Sequence, residues 1–154
     1  MAYYFFDSSA LVKRYVNERG SEKVLTITDP DATNTLHIAR ITIVEVVAAV
    51  ARRRRGGNIV PTDAATVIAD FDFDVNNQYR IIEITQSLLQ NARNLANKHA
   101  LRGYDAVQLT AAIAVNTECI TIELPSVVFV SSDNELNAAA KSEGLQVENP
   151  TPTN

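Results

Sequence analysis

Four carboxylates stand where this chain passes from one regular pattern to another. Tyr3-Tyr4-Phe5-Phe6 stops at Asp7, and Val127-Val128-Phe129-Val130 runs through Ser131-Ser132 to Asp133. Each apolar run reads as a strand buried on both faces, and each hands over to a helical pattern. Ligands of open α/β sheets bind beyond the carboxyl ends of such strands, so an acid there is placed for chemistry. Glu45 and Asp105 open the two most apolar helical stretches, residues 46–51 and 106–114. A half-buried acid needs partners or a cation to stay charged. Four such charges meeting at one sheet edge would repel one another strongly. A hard divalent cation held by oxygen ligands, Mg²⁺ or Mn²⁺, removes that repulsion. Such an ion acidifies water, orients it and stabilises charge developing on a phosphate oxygen.

Each acid also has a local duty open to it. Asp7 and Asp133 precede helices, and aspartate is a good N-cap. Thr42-Ile43-Val44-Glu45 reads as a capping box, with Glu45 bonding back to the Thr42 backbone. Asp105 suits the positive end of a helix dipole. Glu135 is expected to face solvent. Convergence of the four, not any single position, points to a metal. Other chemistries lack their residues. His37 and His99 are far apart with no ligand spacing and read as structural, and Cys119 reads as a small buried hydrophobe. No Ser-His-Asp or Cys-His arrangement, P-loop or dinucleotide glycine fingerprint is present.

The elements that must position these acids alternate between strand and helix. Strands are expected at residues 3–6, 35–41, 79–84 and 127–131, with an edge strand at 145–147. Helices are expected at 9–16, 21–28, 42–55, 61–73, 85–100, 104–115 and 133–142. Gly56-Gly57-Asn58 closes the third helix, and Pro61 opens the fourth at its first turn. Residues 118–125 fit a loop or a short extra strand. This order predicts an α/β fold with a mostly parallel central sheet and helices on both faces. The 154 residues suit a single domain over 1–150, with a frayed tail at 151–154. A hydrophobic share of 46% against 21% charged places the chain among ordinary globular proteins and away from disorder. No apolar stretch has the length of a membrane span, no basic leader is visible, and the lone cysteine fits a reducing cytoplasm.

A net charge of −4 does not advertise a polyanion partner. The positive charge is clustered, however, in Lys13 and Arg14 after the first acid and in Arg52, Arg53, Arg54 and Arg55. The arginine run suits a solvated helix end, where cations favour the negative dipole. It is equally available for phosphate or for a partner protein.

Four blocks, in order, are similar to those of the PIN-domain nucleases, and within them the VapC-like toxins of prokaryotic toxin–antitoxin pairs. They are Tyr4-Phe5-Phe6-Asp7-Ser8-Ser9-Ala10-Leu11-Val12-Lys13-Arg14-Tyr15, Thr42-Ile43-Val44-Glu45, Leu101-Arg102-Gly103-Tyr104-Asp105-Ala106-Val107-Gln108-Leu109 and Phe129-Val130-Ser131-Ser132-Asp133. The resemblance implies a PIN-like, Rossmann-like three-layer sandwich. It implies a Mg²⁺- or Mn²⁺-dependent endoribonuclease acting on RNA, a homodimer and a VapB-like antitoxin partner. It assigns Asp7, Glu45, Asp105 and Asp133 to the acidic site, with Asp7 and Asp105 nearest the ion and the other two acting through water. Ser9 and Ser131 match the supporting hydroxyls. Lys13, Arg14, Arg52, Arg53, Arg54 and Arg55 would then contact the RNA backbone. Residues 118–125 depart from the family pattern, being longer and more apolar. A PIN-fold module that binds without cutting is the alternative. A receiver-like phosphorylation domain fits less well, because no second acid adjoins Asp7 and Lys141 lies within the last helix.

Overall fold

The computed structural model describes residues 1–152. Five parallel strands form one sheet: β1 (Tyr3–Phe6), β2 (Thr35–Ala39), β3 (Tyr79–Ile82), β4 (Val127–Val130) and β5 (Gln146–Glu148). Their spatial order is β3-β2-β1-β4-β5. The helices are α1 (Ser8–Tyr15), α2 (Ser21–Thr28), α3 (Arg40–Arg55), α4 (Pro61–Asn77), α5 (Gln86–His99), α6 (Gly103–Thr121) and α7 (Asn134–Ser142). The three-layer α/β sandwich expected from the alternating pattern is the one observed.

Side chains of a strand alternate between faces, and β1 shows why its run is apolar throughout. Phe5 joins Phe129, Val127, Leu109, Leu88 and Leu136 in the core under α5, α6 and α7. Phe6 joins Leu11, Val24, Ile38, Val46 and Phe71 in the core under α1 to α4. Both phenylalanines are fully buried, as befits the central strand of a sheet covered on both sides.

Several boundaries differ from the sequence expectation. β2 ends at Ala39 and α3 begins at Arg40, so the capping box does not form: Ala39 is the N-cap and makes no side-chain cap bond. Glu45 therefore sits in the second turn of α3. That helix is apolar in sequence yet not buried all round. Val46 and Val50 face the core, while Val44 is 68% exposed on the opposite side. α4 runs past Phe73 to Asn77 because its last turns are anchored. Phe71 is buried, and Asp74 Oδ2 accepts a 2.7 Å bond from Tyr15 Oη and pairs with Arg14 at 3.3 Å. α6 continues to Thr121, so residues 118–121 are helical and form neither loop nor strand. Val115 and Cys119, one turn apart, are both buried and keep the helix on the core. Cys119 O then accepts a 2.8 Å bond from Leu124 N, which closes the helix end. His37 is buried within the sheet, and His99 Nε2 lies 2.6 Å from Glu143 Oε1.

Of the tail expected to fray, residues 153 and 154 lie outside the described residues. Pro150 is buried, Thr151 Oγ1 is 3.2 Å from Ser132 Oγ, and Pro152 O accepts a 2.7 Å bond from Arg19. The loop between α1 and α2 meets this segment at Gly20, whose φ of +95° is a left-handed conformation. A Cβ there would stand 2.9 Å from Pro150 O and 3.2 Å from Lys13 Cδ. Gly20→Ala is therefore expected to cost roughly 1–3 kcal/mol of stability, through backbone strain and the clash together. Urea denaturation measures it. Wild-type stability in that variant would show that the tail does not press on the loop.

Candidate active site

The strand order reverses between β1 and β4, because β2 and β3 extend the sheet on one side and β4 and β5 on the other. Asp7 follows β1 and Ser131 follows β4, so both leave the sheet at this switch point, where open α/β sheets bind ligands. Asp7 is only 3% exposed. Its Oδ1 accepts a 3.0 Å bond from Ala10 N, which caps α1. Its Oδ2 accepts a 2.7 Å bond from Ser131 Oγ, and Ser9 Oγ lies 2.8 and 2.9 Å from the two carboxylate oxygens. Ser132 N in turn donates to Ser9 Oγ at 3.0 Å. Burial pushes the Asp7 carboxyl up from 3.8 to about 6; the bonds from Ala10, Ser131 and Ser9 oppose this, and the Asp105 charge adds to it.

Glu45 reaches the same region from α3. Its Oε1 accepts a 2.8 Å bond from Gln108 Nε2, and Gln108 Nε2 also donates to Thr42 Oγ1 at 2.8 Å. Gln108 is 1% exposed and stands one turn after Asp105 on α6. It locks the acid of one helix to the helix that carries another. Burial raises the Glu45 carboxyl; hydrogen bonds from Gln108 and Ser8 pull it back, Asp105 raises it further, and Arg52 lowers it.

Asp105 is the third residue of α6 and Asp133 the N-cap of α7. Asp133 Oδ1 accepts a 3.0 Å bond from Leu136 N. One guanidinium spans the pair: Arg102 Nε is 3.3 Å from Asp105 Oδ2 and an Arg102 terminal nitrogen is 3.4 Å from Asp133 Oδ2. Burial raises the Asp105 carboxyl, as does repulsion from Asp133, and Arg102 only partly offsets them. Asp105 is thus the electrostatic hub. It acts on Asp7 and Glu45, and it feels Asp133 and Glu135.

The candidate phosphate contacts divide. A groove of about 870 Å³ opens beside the acids, with Glu45, Ser9, Ser132, Lys13, Arg52 and Arg53 in its wall. Lys13 and Arg53 are tied to Glu18 at 3.1 and 2.8 Å. Arg14 turns elsewhere, donating to Tyr79 Oη at 2.7 Å and pairing with Asp74. Arg54 and Arg55 are exposed at the end of α3 and do not line the groove. Sequence reading missed Gln108, Arg102 and Ser132. A glutamine inside an otherwise apolar helix, three residues after Asp105, was the visible signal for the first.

Among the described residues, no three acidic, histidine or cysteine side chains stand so that one ion could rest between them. The donor set still fits Mg²⁺, which keeps several waters and takes one or two carboxylates. Three desolvated acids with raised pKa values, and an arginine already bridging two carboxylates, describe a place that favours added positive charge.

Residues 4–142 match the PIN domain family. The chain belongs to that family. Among PIN proteins it sides with the VapC-like members. It is 32% identical over 143 residues to ribonuclease VapC45 and to ribonuclease VapC49 of Mycobacterium tuberculosis, which covers 93% of this chain and 92% of each of theirs. The crystal structure of VapBC2 from Rickettsia felis, bound to a DNA fragment from their promoter, shares the PIN fold. Its TM-score is 0.64 at 14% identity, over 96% of this chain and 98% of that one.

Two outcomes follow from the site's electrostatics. Between pH 4 and pH 6 folded Asp7 holds a proton that the unfolded chain has shed, so its contribution to stability falls as pH rises through that window. The full swing is at most about 3 kcal/mol. In metal-free protein, Asp7→Asn should gain on the wild type by up to that amount as pH goes from about 4 to about 7. Urea titrations at the two ends read the difference, and a gap independent of pH would contradict it. Gln108→Leu removes the donor shared by Glu45 and Thr42 and should cost roughly 1–3 kcal/mol. An unchanged melting curve would show that the clamp is idle.

Proposed function

We propose that this chain is a Mg²⁺- or Mn²⁺-dependent endoribonuclease, the toxin of a VapC-like toxin–antitoxin pair. One observation carries the reading: Asp7 leaves the sheet at its switch point, Arg102 joins Asp105 to Asp133, and Gln108 ties Glu45 to the helix that carries Asp105. The names of the VapC relatives support a ribonuclease, and the VapBC neighbour supports an antitoxin partner. Asp7 and Asp105 are the residues that would hold the cation, with Glu45 and Asp133 on its hydration shell. When bound, the cation would supply charge neutralisation at a phosphate oxygen and a more acidic water.

The chain's own residues do the rest. Ser9 and Ser131 hold the Asp7 carboxylate in one orientation. Gln108 and Thr42 fix Glu45 at the groove wall. Glu45 is the better proton acceptor of the two outer acids. It lines the groove and its affinity for a proton is raised, whereas Asp133 spends one oxygen on the α7 cap and the other on Arg102. Glu45 takes the proton of a water that attacks the RNA phosphorus; the bond from phosphorus to the 3′ oxygen breaks and that oxygen takes a proton from solvent, leaving 5′-phosphate and 3′-hydroxyl ends. Arg52, with Lys13 and Arg53 behind it, provides the positive groove wall for the RNA backbone. A homodimer, a VapB-like antitoxin seated near this groove and a cytoplasmic location belong to the same reading. No described helix is long and apolar enough to cross a membrane.

A mixed RNA pool incubated with Mg²⁺, with EDTA, and with the Asp7→Asn variant tests the proposal. Cleavage should require Mg²⁺ and fall by roughly 100-fold or more in the variant. Cleavage in EDTA, or full activity in Asp7→Asn, would overturn it. Tight RNA binding with no cleavage under any condition would favour the non-catalytic module.

A further inference from the structure

Arg102 is the N-cap residue of α6, but its side chain makes no capping bond and is 81% exposed. A cation at a helix N-terminus opposes the dipole, so the guanidinium is held there by the carboxylates it touches. Those carboxylates, Asp105 and Asp133, come from different helices and repel each other. Both contacts are long, at 3.3 and 3.4 Å, and open to solvent. Exposed pairs of this kind are worth only a few-fold in an equilibrium. A divalent cation held by Asp105, with Asp133 on its hydration shell, would compete for the same oxygens and would displace Arg102 cheaply. Once the acids are neutralised, nothing holds the guanidinium against the dipole. Tyr104, two residues on, lines the groove with Ser9 and Ser132, and Arg102 itself touches Asp105 and Asp133. Lys13, Arg53 and Arg14 are committed to Glu18, Asp74 and Tyr79. A planar guanidinium is also the side chain best matched to two phosphate oxygens.

Resting on the nuclease reading, we propose that Arg102 is a phosphate-contacting residue held in reserve. In metal-free protein it balances Asp105 and Asp133. When a divalent cation occupies Asp7 and Asp105, with Asp133 on its hydration shell, Arg102 turns to a phosphate of the RNA. The site thereby exchanges one positive charge for two and gains an anion-binding arm in the same step. A metal-free protein keeps that arm folded onto its own acids and binds RNA less well.

The test uses Arg102→Gln and Arg102→Lys in the full chain. Mn²⁺ is titrated calorimetrically without RNA, and the KM for single-stranded RNA is measured at saturating Mn²⁺. With its competitor gone, Arg102→Gln should bind Mn²⁺ roughly two- to fivefold tighter, and Arg102→Lys should resemble the wild type. Unchanged or weaker Mn²⁺ binding by Arg102→Gln overturns the counter-cation role. The KM of Arg102→Gln should rise roughly tenfold, with partial recovery in Arg102→Lys. An unchanged KM overturns the phosphate role. A wild-type protein that cuts no RNA overturns the nuclease reading and the phosphate role together, while the Mn²⁺ titration separately decides the counter-cation role.

Discussion

A carboxylate that is out of water but must be able to carry charge organises this molecule. Asp7 closes the central strand, and nearly all of its surface is covered. Burial raises its hold on a proton, and three donors from α1 and the β4–α7 loop pull it back toward ionisation. The Ser131 donor is in reach because β1 and β4 are neighbours and end in register, Phe6 beside Val130. The backbone bond from Asp7 N to Val130 O at 3.1 Å extends that pairing one residue past the strands. Sheet topology, helix capping and site chemistry thus meet in one side chain.

Capping and function are not rivals here. Asp7 and Asp133 each give one oxygen to a helix N-terminus and keep the other for the site. The cap fixes the rotamer, which is what a ligand-binding carboxylate needs. α6 has the complementary task. It buries nine of its residues and carries both Asp105 and Gln108, so its packing passes to Glu45 through the Gln108 clamp. The acids are therefore held by the two cores on either side of the sheet and not by mobile loops.

Charge is distributed to match. The protein is acidic overall, yet the groove beside the acids has a basic wall. Glu18 partly neutralises that wall by holding Lys13 and Arg53, and the C-terminal segment braces the loop that carries Glu18. Arg102 partly offsets the charge of Asp105 and Asp133. Lys13, Arg53 and Arg102 are each paired with a carboxylate, which limits their attraction for polyanions.

Much was legible in the sequence. Strand runs, helix stripes and the four acids are local patterns, set by side-chain periodicity over a few residues, and these recover the element order and the sheet edge at which Asp7 and Asp133 emerge. Helix ends were less legible. The Thr42–Glu45 box resembles a cap, but Thr42 instead accepts a bond from a glutamine 66 residues away, and α6 outruns its expected end because Cys119 finds a place in the core. Lys13 and Arg14 are adjacent in sequence and look equivalent, yet a helix turns them about 100° apart, one toward Glu18 and one toward Asp74. The order of elements was written in nearest-neighbour chemistry. Which groups became partners, how far burial lifted each carboxyl and which cations stayed within reach were decided by contacts between distant segments, because desolvation and ion pairing depend on what the folded chain packs around a charge.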